Sequence, residues 1–178
     1  MGISWSAMRK VLEKDNICES LKGRIQYFST RYHKMHDQEG RVAIRLDGKE
    51  IYKSCYYDWV DKLYEGMHIY YDSDIEDMSC LEFDEAFRNK TQDFKGFDRI
   101  NFYDAFYIYQ NSSIDDSLKS ANPITRLFAI MDKRVGKRRL QNIIPETKNQ
   151  PEWLQVFYLL RLEADGVIKS DYQQKRAN

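Results

Sequence analysis

Arg24-Ile-Gln-Tyr-Phe-Ser-Thr-Arg-Tyr32, Arg41-Val-Ala-Ile-Arg-Leu46 and Asp47-Gly48-Lys49-Glu-Ile-Tyr52 are the stretches whose reading decides the fold. The first is rich in aromatic and β-branched residues, which suit a pleated, half-buried surface. The second alternates, so Val42, Ile44 and Leu46 turn inward while Arg41 and Arg45 turn outward. Asp47-Gly48 supplies the positive φ angles of a two-residue hairpin, and 49–52 therefore returns antiparallel to 41–46. Polar His36-Asp37-Gln38-Glu39-Gly40 reads as the earlier turn. Together they predict an antiparallel meander with one face in water.

Outside this block the apolar period is that of a helix. Trp5, Met8, Val11 and Leu12 share one face of a helix over 5–14 that precedes Gly23. From Tyr57 onward Trp59, Val60, Leu63 and Tyr64 form another stripe, ending at Gly66. Met67-His68-Ile69-Tyr70-Tyr71 reads equally as a fourth strand or a buried connector. Residues 81–92 and 98–110 read as helices, the second strongly aromatic. Ser113 opens a short capped helix. Asn122 and Pro123 open the clearest one, with Ile124, Leu127, Phe128 and Met131 on its apolar face over 122–135. Gly136 ends or kinks it, 137–144 resumes before Pro145, and a last helix from Pro151 to Gly166 buries Trp153, Leu154, Phe157, Tyr158 and Leu160. Strands first and helices after give an α+β class: an N-terminal helix, a three- to four-stranded antiparallel meander, and a C-terminal helical part packed on it. The 178 residues suit a single domain, with helix and sheet in 1–71, a mainly helical part in 72–166 and a frayed tail in 167–178.

Composition narrows the function classes. Lys+Arg and Asp+Glu both number 28, so no overall field draws the chain toward nucleic acid or an anionic membrane. The longest apolar runs, 105–109 and 156–160, fall far short of the ~20 residues of a membrane span. The opening ten residues lack a signal-peptide core, and Gly2 with Ser6 meets only the loosest myristoylation pattern. Cys18, Cys55 and Cys80 are widely spaced and form no C-x-x-C, which suits three buried thiols in a reducing cytoplasm.

Several stretches together resemble a family of small uncharacterised bacterial cytosolic proteins. They are Trp5-Ser6, Ser20-Leu21-Lys22-Gly23-Arg24-Ile25, Thr30-Arg31-Tyr32, His36-Asp37-Gln38-Glu39-Gly40-Arg41 and Asp47-Gly48-Lys49-Glu50-Ile51. Further along come Asn122-Pro123-Ile124, Asp132-Lys133-Arg134-Val135-Gly136-Lys137-Arg138-Arg139-Leu140 and Leu160-Arg161-Leu162-Glu163-Ala164-Asp165-Gly166. The long 132–140 string is the most specific, and roughly 67–100 shows no matching stretch. The resemblance implies relatives without an activity to transfer. In size and composition the chain is also similar to immunity proteins of bacterial toxin–immunity pairs, of the contact-dependent inhibition type.

Four constellations could carry chemistry. His33-Lys-Met-His36-Asp37 has the residue types of a metal site, but at the end of a strand its spacing sends the imidazoles to opposite faces. Loop histidines are the simpler reading, and His68 stands alone between apolar neighbours. No G-x-S-x-G, P-loop or G-x-G-x-x-G is present. An unrecognised hydrolase would have to assemble His33, His36 or His68 with carboxylates from distant positions. Lys133, Arg134, Lys137, Arg138 and Arg139 place five cations in seven positions with no acid among them. They suit phosphate contacts, a solvated helix end complementing the dipole, or arginine–carboxylate glue. Opposite in sign, Asp72, Asp74, Glu76, Asp77, Glu82, Asp84 and Glu85 fall within 72–87 with no Lys or Arg among them. They follow Tyr70-Tyr71, a pairing suited to a basic protein partner: charge steers the encounter and aromatics anchor it. An acidic solvated loop is the plain alternative.

The expectation is a cytosolic binding protein without metal or cofactor, most simply an immunity protein occluding a basic toxin domain such as a nuclease. Its partner surface would be Tyr70, Tyr71, Asp72, Asp74, Glu76, Asp77, Asp84 and Glu85. The alternative is a nucleic-acid or ribonucleoprotein accessory factor using Lys133, Arg134, Lys137, Arg138 and Arg139. The 13 Tyr, 9 Phe and 3 Trp leave room for a homodimer seam.

Overall fold

The computed structural model describes residues 3–31, 33–34, 40–55 and 99–169, with the backbone alone at 99–101. The chain falls into two compact units: Met1–Tyr27 with Ile44–Tyr52 and Phe102–Asn178, and Phe28–Ala43 with Lys53–Asn101. The expected helices over 57–66 and 81–92, the ambiguous 67–71 and Cys80 lie outside the described residues.

Helix α1 (Trp5–Lys10) starts on Ser4, whose Oγ accepts from the amide of Ala7. The expected helix over 5–14 does not continue in one form. It widens into a π-helical turn over Val11–Asp15, closed by the Asn16 amide on the Val11 carbonyl. Met8 and Leu12 are buried as expected, and Trp5 and Val11 half-buried. The wide turn carries Glu13 to the sheet, where its Oε1 accepts from the Tyr27 amide at 2.8 Å. Arg9 holds the same carboxylate at 2.8 and 2.9 Å.

The strands follow in the order β1 (Ile25–Arg31), β2 (Gly40–Leu46) and β3 (Lys49–Cys55). All are antiparallel, as the hairpin residues require. Asp47 and Gly48 take φ of 50° and 83°, the left-handed pair that a two-residue turn needs. Arg24 clamps this turn from outside, with Nε and Nη2 donating to the two Asp47 oxygens at 3.0 and 2.6 Å. That clamp lowers the Asp47 pKa and raises that of Arg24. One expectation needs correction. Val42 and Ile44 are buried, but so is Ala43 between them, and Arg41 and Arg45 are half-buried rather than free in water. Central β2 is therefore covered on both faces at its middle. Gly40 is no turn residue either. It begins β2 and is buried, and a Cβ there would stand 1.6 Å from the Thr30 carbonyl oxygen.

The helices from residue 99 onward are α2 (Arg99–Asn111), α3 (Ile114–Leu118), α4 (Pro123–Met131), α5 (Lys137–Thr147) and α6 (Glu152–Ala164). Ser113 and Asn122 cap α3 and α4 through their side-chain oxygens, as the sequence predicts. Within the first unit these helices pack on the strands through aromatic rings. Tyr27, Phe102, Phe106 and Tyr109 meet Phe128 edge-on at centroid distances of 5.4, 6.1, 6.4 and 5.9 Å. Such tilted contacts set the electropositive rim of one ring against the face of another. Trp153 stacks on Tyr52 at 4.5 Å.

Two expected outcomes follow from this packing. Gly40→Ala should cost about 1–3 kcal/mol, since backbone and not a movable side chain occupies the added methyl's place. An unchanged urea midpoint would contradict that close approach. Burial also raises the phenols of Tyr27, Tyr109 and Tyr158, Tyr158 to about 12. An unfolded tyrosine ionises near pH ~10. Above that value the unfolded chain releases protons that the folded chain retains, so stability intact below about pH 10 falls as pH rises toward 12. A denaturation midpoint flat across that window would mean that these phenols ionise as if in water.

Candidate functional site

Asp132 stands at the end of α4 with its carboxylate 0% exposed. Four donors converge on it: the Tyr109 hydroxyl, and from Arg134 the amide at 2.7 Å, Nε at 2.9 Å and Nη2 at 2.7 Å. Arg134 also lies over the Tyr109 ring, with Cζ 5.7 Å from its centroid. Asn16 Nδ2 donates to the Tyr109 hydroxyl at 2.9 Å. Burial, then the hydrogen bond to Asp132, pushes the Tyr109 phenol up, and the same carboxylate raises the Arg134 pKa. The backbone repeats the junction. Ile17 and Asp132 form an isolated antiparallel bridge, the Cys18 amide donates to the Met131 carbonyl, and the Lys133 amide donates to the Asn16 carbonyl.

This arrangement redefines the basic string. Lys133 and Arg134 are not helical; they occupy the turn between α4 and α5, and Gly136 is the N-cap of α5. Lys137, Arg138 and Arg139 thus sit in the first turn of a helix, the end whose dipole disfavours cations. Only Lys133 and Arg134, just past the end of α4, fit the dipole reading. Arg139 is compensated by Asp115 through bonds of 2.7 and 3.0 Å, which hold that carboxylate below its ordinary pKa. Lys133 Nζ donates to the Asp15 carbonyl. Lys137 and Arg138 are exposed with no hydrogen bond or ion pair among the described residues. Val135 and Leu140 are buried, as the pattern predicts.

Behind the string lies Arg161, 2% exposed on α6. Its Nη2 donates to the Val135 carbonyl at 2.8 Å and stands 3.3 Å from an Asp165 oxygen, while Nε and Nη1 have no partner among the described residues. The apolar period places Leu160 in the core and gives Arg161 no place there. In the structure Leu160 and Trp153 are half-buried and Arg161 is enclosed. An arginine beside an apolar stripe gives no signal of its own that it will fold inward.

A cleft of about 780 Å³ opens among α3, α4, α5 and α6, lined in part by Asp115, Arg126, Arg139, Glu146, Gln150 and Tyr158. Sequence reasoning missed it because its walls come from four separated segments. Arg126 is fixed there by Nε on Gln150 Oε1 at 2.8 Å and by Nη1 on the Ser120 and Ala121 carbonyls at 2.5 and 2.9 Å.

Of the other expected residues, Tyr70, Tyr71, Asp72, Asp74, Glu76, Asp77, Asp84 and Glu85 lie outside the described residues, as do His36 and His68. His33 is exposed in a turn. Among the described residues, no three His, Cys, Asp or Glu side chains gather as metal ligands. There too, no helix is long and apolar enough to cross a membrane. Cys18 is a buried free thiol and Cys55 a half-buried one, which corrects the expectation that both are buried.

Asp132→Asn keeps the shape of the buried group and removes the charge its donors share, so it should destabilise by about 1.5–3 kcal/mol. A double-mutant cycle with Tyr109→Phe should show coupling of about 0.5 kcal/mol or more. Strict additivity in urea unfolding would mean that the two side chains do not act together.

No curated protein and no solved structure matches the chain. The model of the SF0329 protein family matches residues 4–162. That span takes in α1, the sheet, the Asp132 junction and nearly all of α6, and the chain belongs to the SF0329 protein family.

Proposed function

We propose that this chain works in the cytoplasm as a binding protein, an immunity protein that neutralises a toxin domain by covering its active surface. The observation that carries this reading is the engagement of the basic string. Arg134 is tied to Asp132, Arg139 to Asp115 and Lys133 to the Asp15 carbonyl. The strongest phosphate-binding signal in the sequence therefore has a role in holding the fold, and Lys137 and Arg138 alone are a thin basis for nucleic-acid affinity. The other one-signed run in the sequence is acidic, in 72–87 beside Tyr70 and Tyr71. Seven acids uninterrupted by a cation accelerate encounter with a basic surface and compete with phosphate for it. A nuclease domain is the toxin that such a surface fits best, since its substrate cleft must itself be basic.

The test begins with capture of a basic polypeptide from a nuclease-treated native lysate. That polypeptide should arrest growth of cells lacking this chain and leave cells that express it unaffected. Asp74→Lys together with Asp77→Lys should slow association and weaken binding by ~2–5 kcal/mol if the acids meet buried cations. Unchanged binding in the double reversal removes the acidic surface from the mechanism. Retention of RNA or DNA that disappears with Lys137→Glu and Arg138→Glu replaces this reading with the nucleic-acid one.

A further inference from the structure

The cleft among α3, α4, α5 and α6 contains an arginine fixed in place without a carboxylate. Arg9, Arg24, Arg45, Arg134, Arg139 and Arg161 each lie within ion-pair distance of a carboxylate. Among the described residues, Arg126 is within ion-pair distance of none. Its Nε and Nη1 are satisfied by neutral oxygens of Gln150, Ser120 and Ala121. That leaves both N–H groups of Nη2 without a partner among the described residues. A guanidinium offers five N–H donors, so three fix this one in place and two remain for something else.

Its supports are themselves fixed. Gln150 Nε2 donates to the Glu146 carbonyl at 3.2 Å, and the Gln150 carbonyl accepts from Gln155 at 2.8 Å. The position of Arg126 thus needs little reorganisation on binding, the condition under which a single charge-assisted bond counts most. Burial lowers its pKa, and the neighbouring Tyr158 acts the other way. The ion lacks the countercharge that would offset its loss of water.

Tyr158 supplies the second donor. It is 1% exposed and lines the same cleft, and its hydroxyl makes no hydrogen bond among the described residues. The phenol, raised to about 12 mainly by burial, remains a donor at neutral pH. Around this pair the charge is slightly positive. Lys119, Arg126 and Arg139 face Asp115 and Glu146, and Asp115 is already bonded to Arg139. Glu146 accepts from Asn149 Nδ2 at 3.3 Å and disfavours a multiply charged guest.

We propose that this cleft is a binding site for a small polar molecule carrying one oxyanion group, a carboxylate or a phosphate monoester, received by Arg126 Nη2 and the Tyr158 hydroxyl. The volume of about 780 Å³ admits a molecule of metabolite size. Leu118 and Ile143 stand beside the polar groups on the walls of the cleft, so the body of the guest meets a mixed surface and the oxyanion supplies the polar anchor. This inference stands on the first unit alone and is independent of the toxin-binding reading.

The full chain, isotopically labelled, is titrated separately with acetate, inorganic phosphate and glycerol phosphate against chloride at matched ionic strength. Saturable shifts of the 119–121 and 149–150 amides with at least one oxyanion are expected, and the tighter one identifies the ligand class. Tyr158→Phe deletes a hydroxyl with no partner in the fold, so the melting temperature should hold while affinity falls about tenfold. Arg126→Met should abolish the shifts. If it does not fold, Tyr158→Phe decides alone. No saturable shift with any of the three probes, or equal affinity in Tyr158→Phe, overturns the proposal.

Discussion

The buried carboxylate of Asp132 is the constraint on which the first unit depends. A charge removed from water at the end of a helix must be surrounded by donors, or its desolvation outweighs much of a small protein's stability. Tyr109 brings α2 to that point, Arg134 closes the turn over it, and Asn16 joins the segment after α1 through the tyrosine hydroxyl. The backbone bridge between Ile17 and Asp132, with the Cys18 and Lys133 amides bonded across it, ties the same two segments. One acid thereby fixes three segments that are far apart in the chain, and Tyr109 sets the aromatic cluster around Phe128 in register with them.

Much of the fold was legible because local chemistry forced it. Asp47-Gly48 permits little besides a tight hairpin, and Asn122-Pro123 permits little besides a helix start. What was not legible arises where tertiary contacts override local pattern. The π-helical turn over Val11–Asp15 has no sequence signature; it is explained by what Glu13 reaches, the outward amide of Tyr27 on an edge strand. A bare amide on such an edge invites pairing with another chain, and the carboxylate removes it. Likewise Ala43 reads as the polar-side residue of an alternating strand, and only the covering of β2 shows that its small size is needed there.

The candidate site was legible in a different way. The 132–140 string stood out as the longest resemblance, and arginine–carboxylate glue was among its readings, but its acid partners could not be chosen by spacing. Asp115 precedes Arg139 by 24 residues, and Asp132 sits beside Arg134 in the chain. Proximity in sequence is common among 28 acids and 28 bases. Asp132 and Arg134 pair within one turn, whereas Asp115 on α3 and Arg139 on α5 pair only because the fold brings two separate helices together.

Arg134 and Arg126 bring out the point. Both are arginines at the ends of the same structural region, and nothing in their neighbours along the chain distinguishes a structural role from a receptive one. Arg134 is half-exposed, yet a fully buried carboxylate takes its charge and raises its pKa. Arg126 is the more enclosed of the two, and only amide and carbonyl dipoles meet it. Dipoles can position a guanidinium but cannot neutralise it, and a cation held in place without a counterion attracts an anion from solution. The same residue type thus closes the fold at one position and leaves an opening at the other.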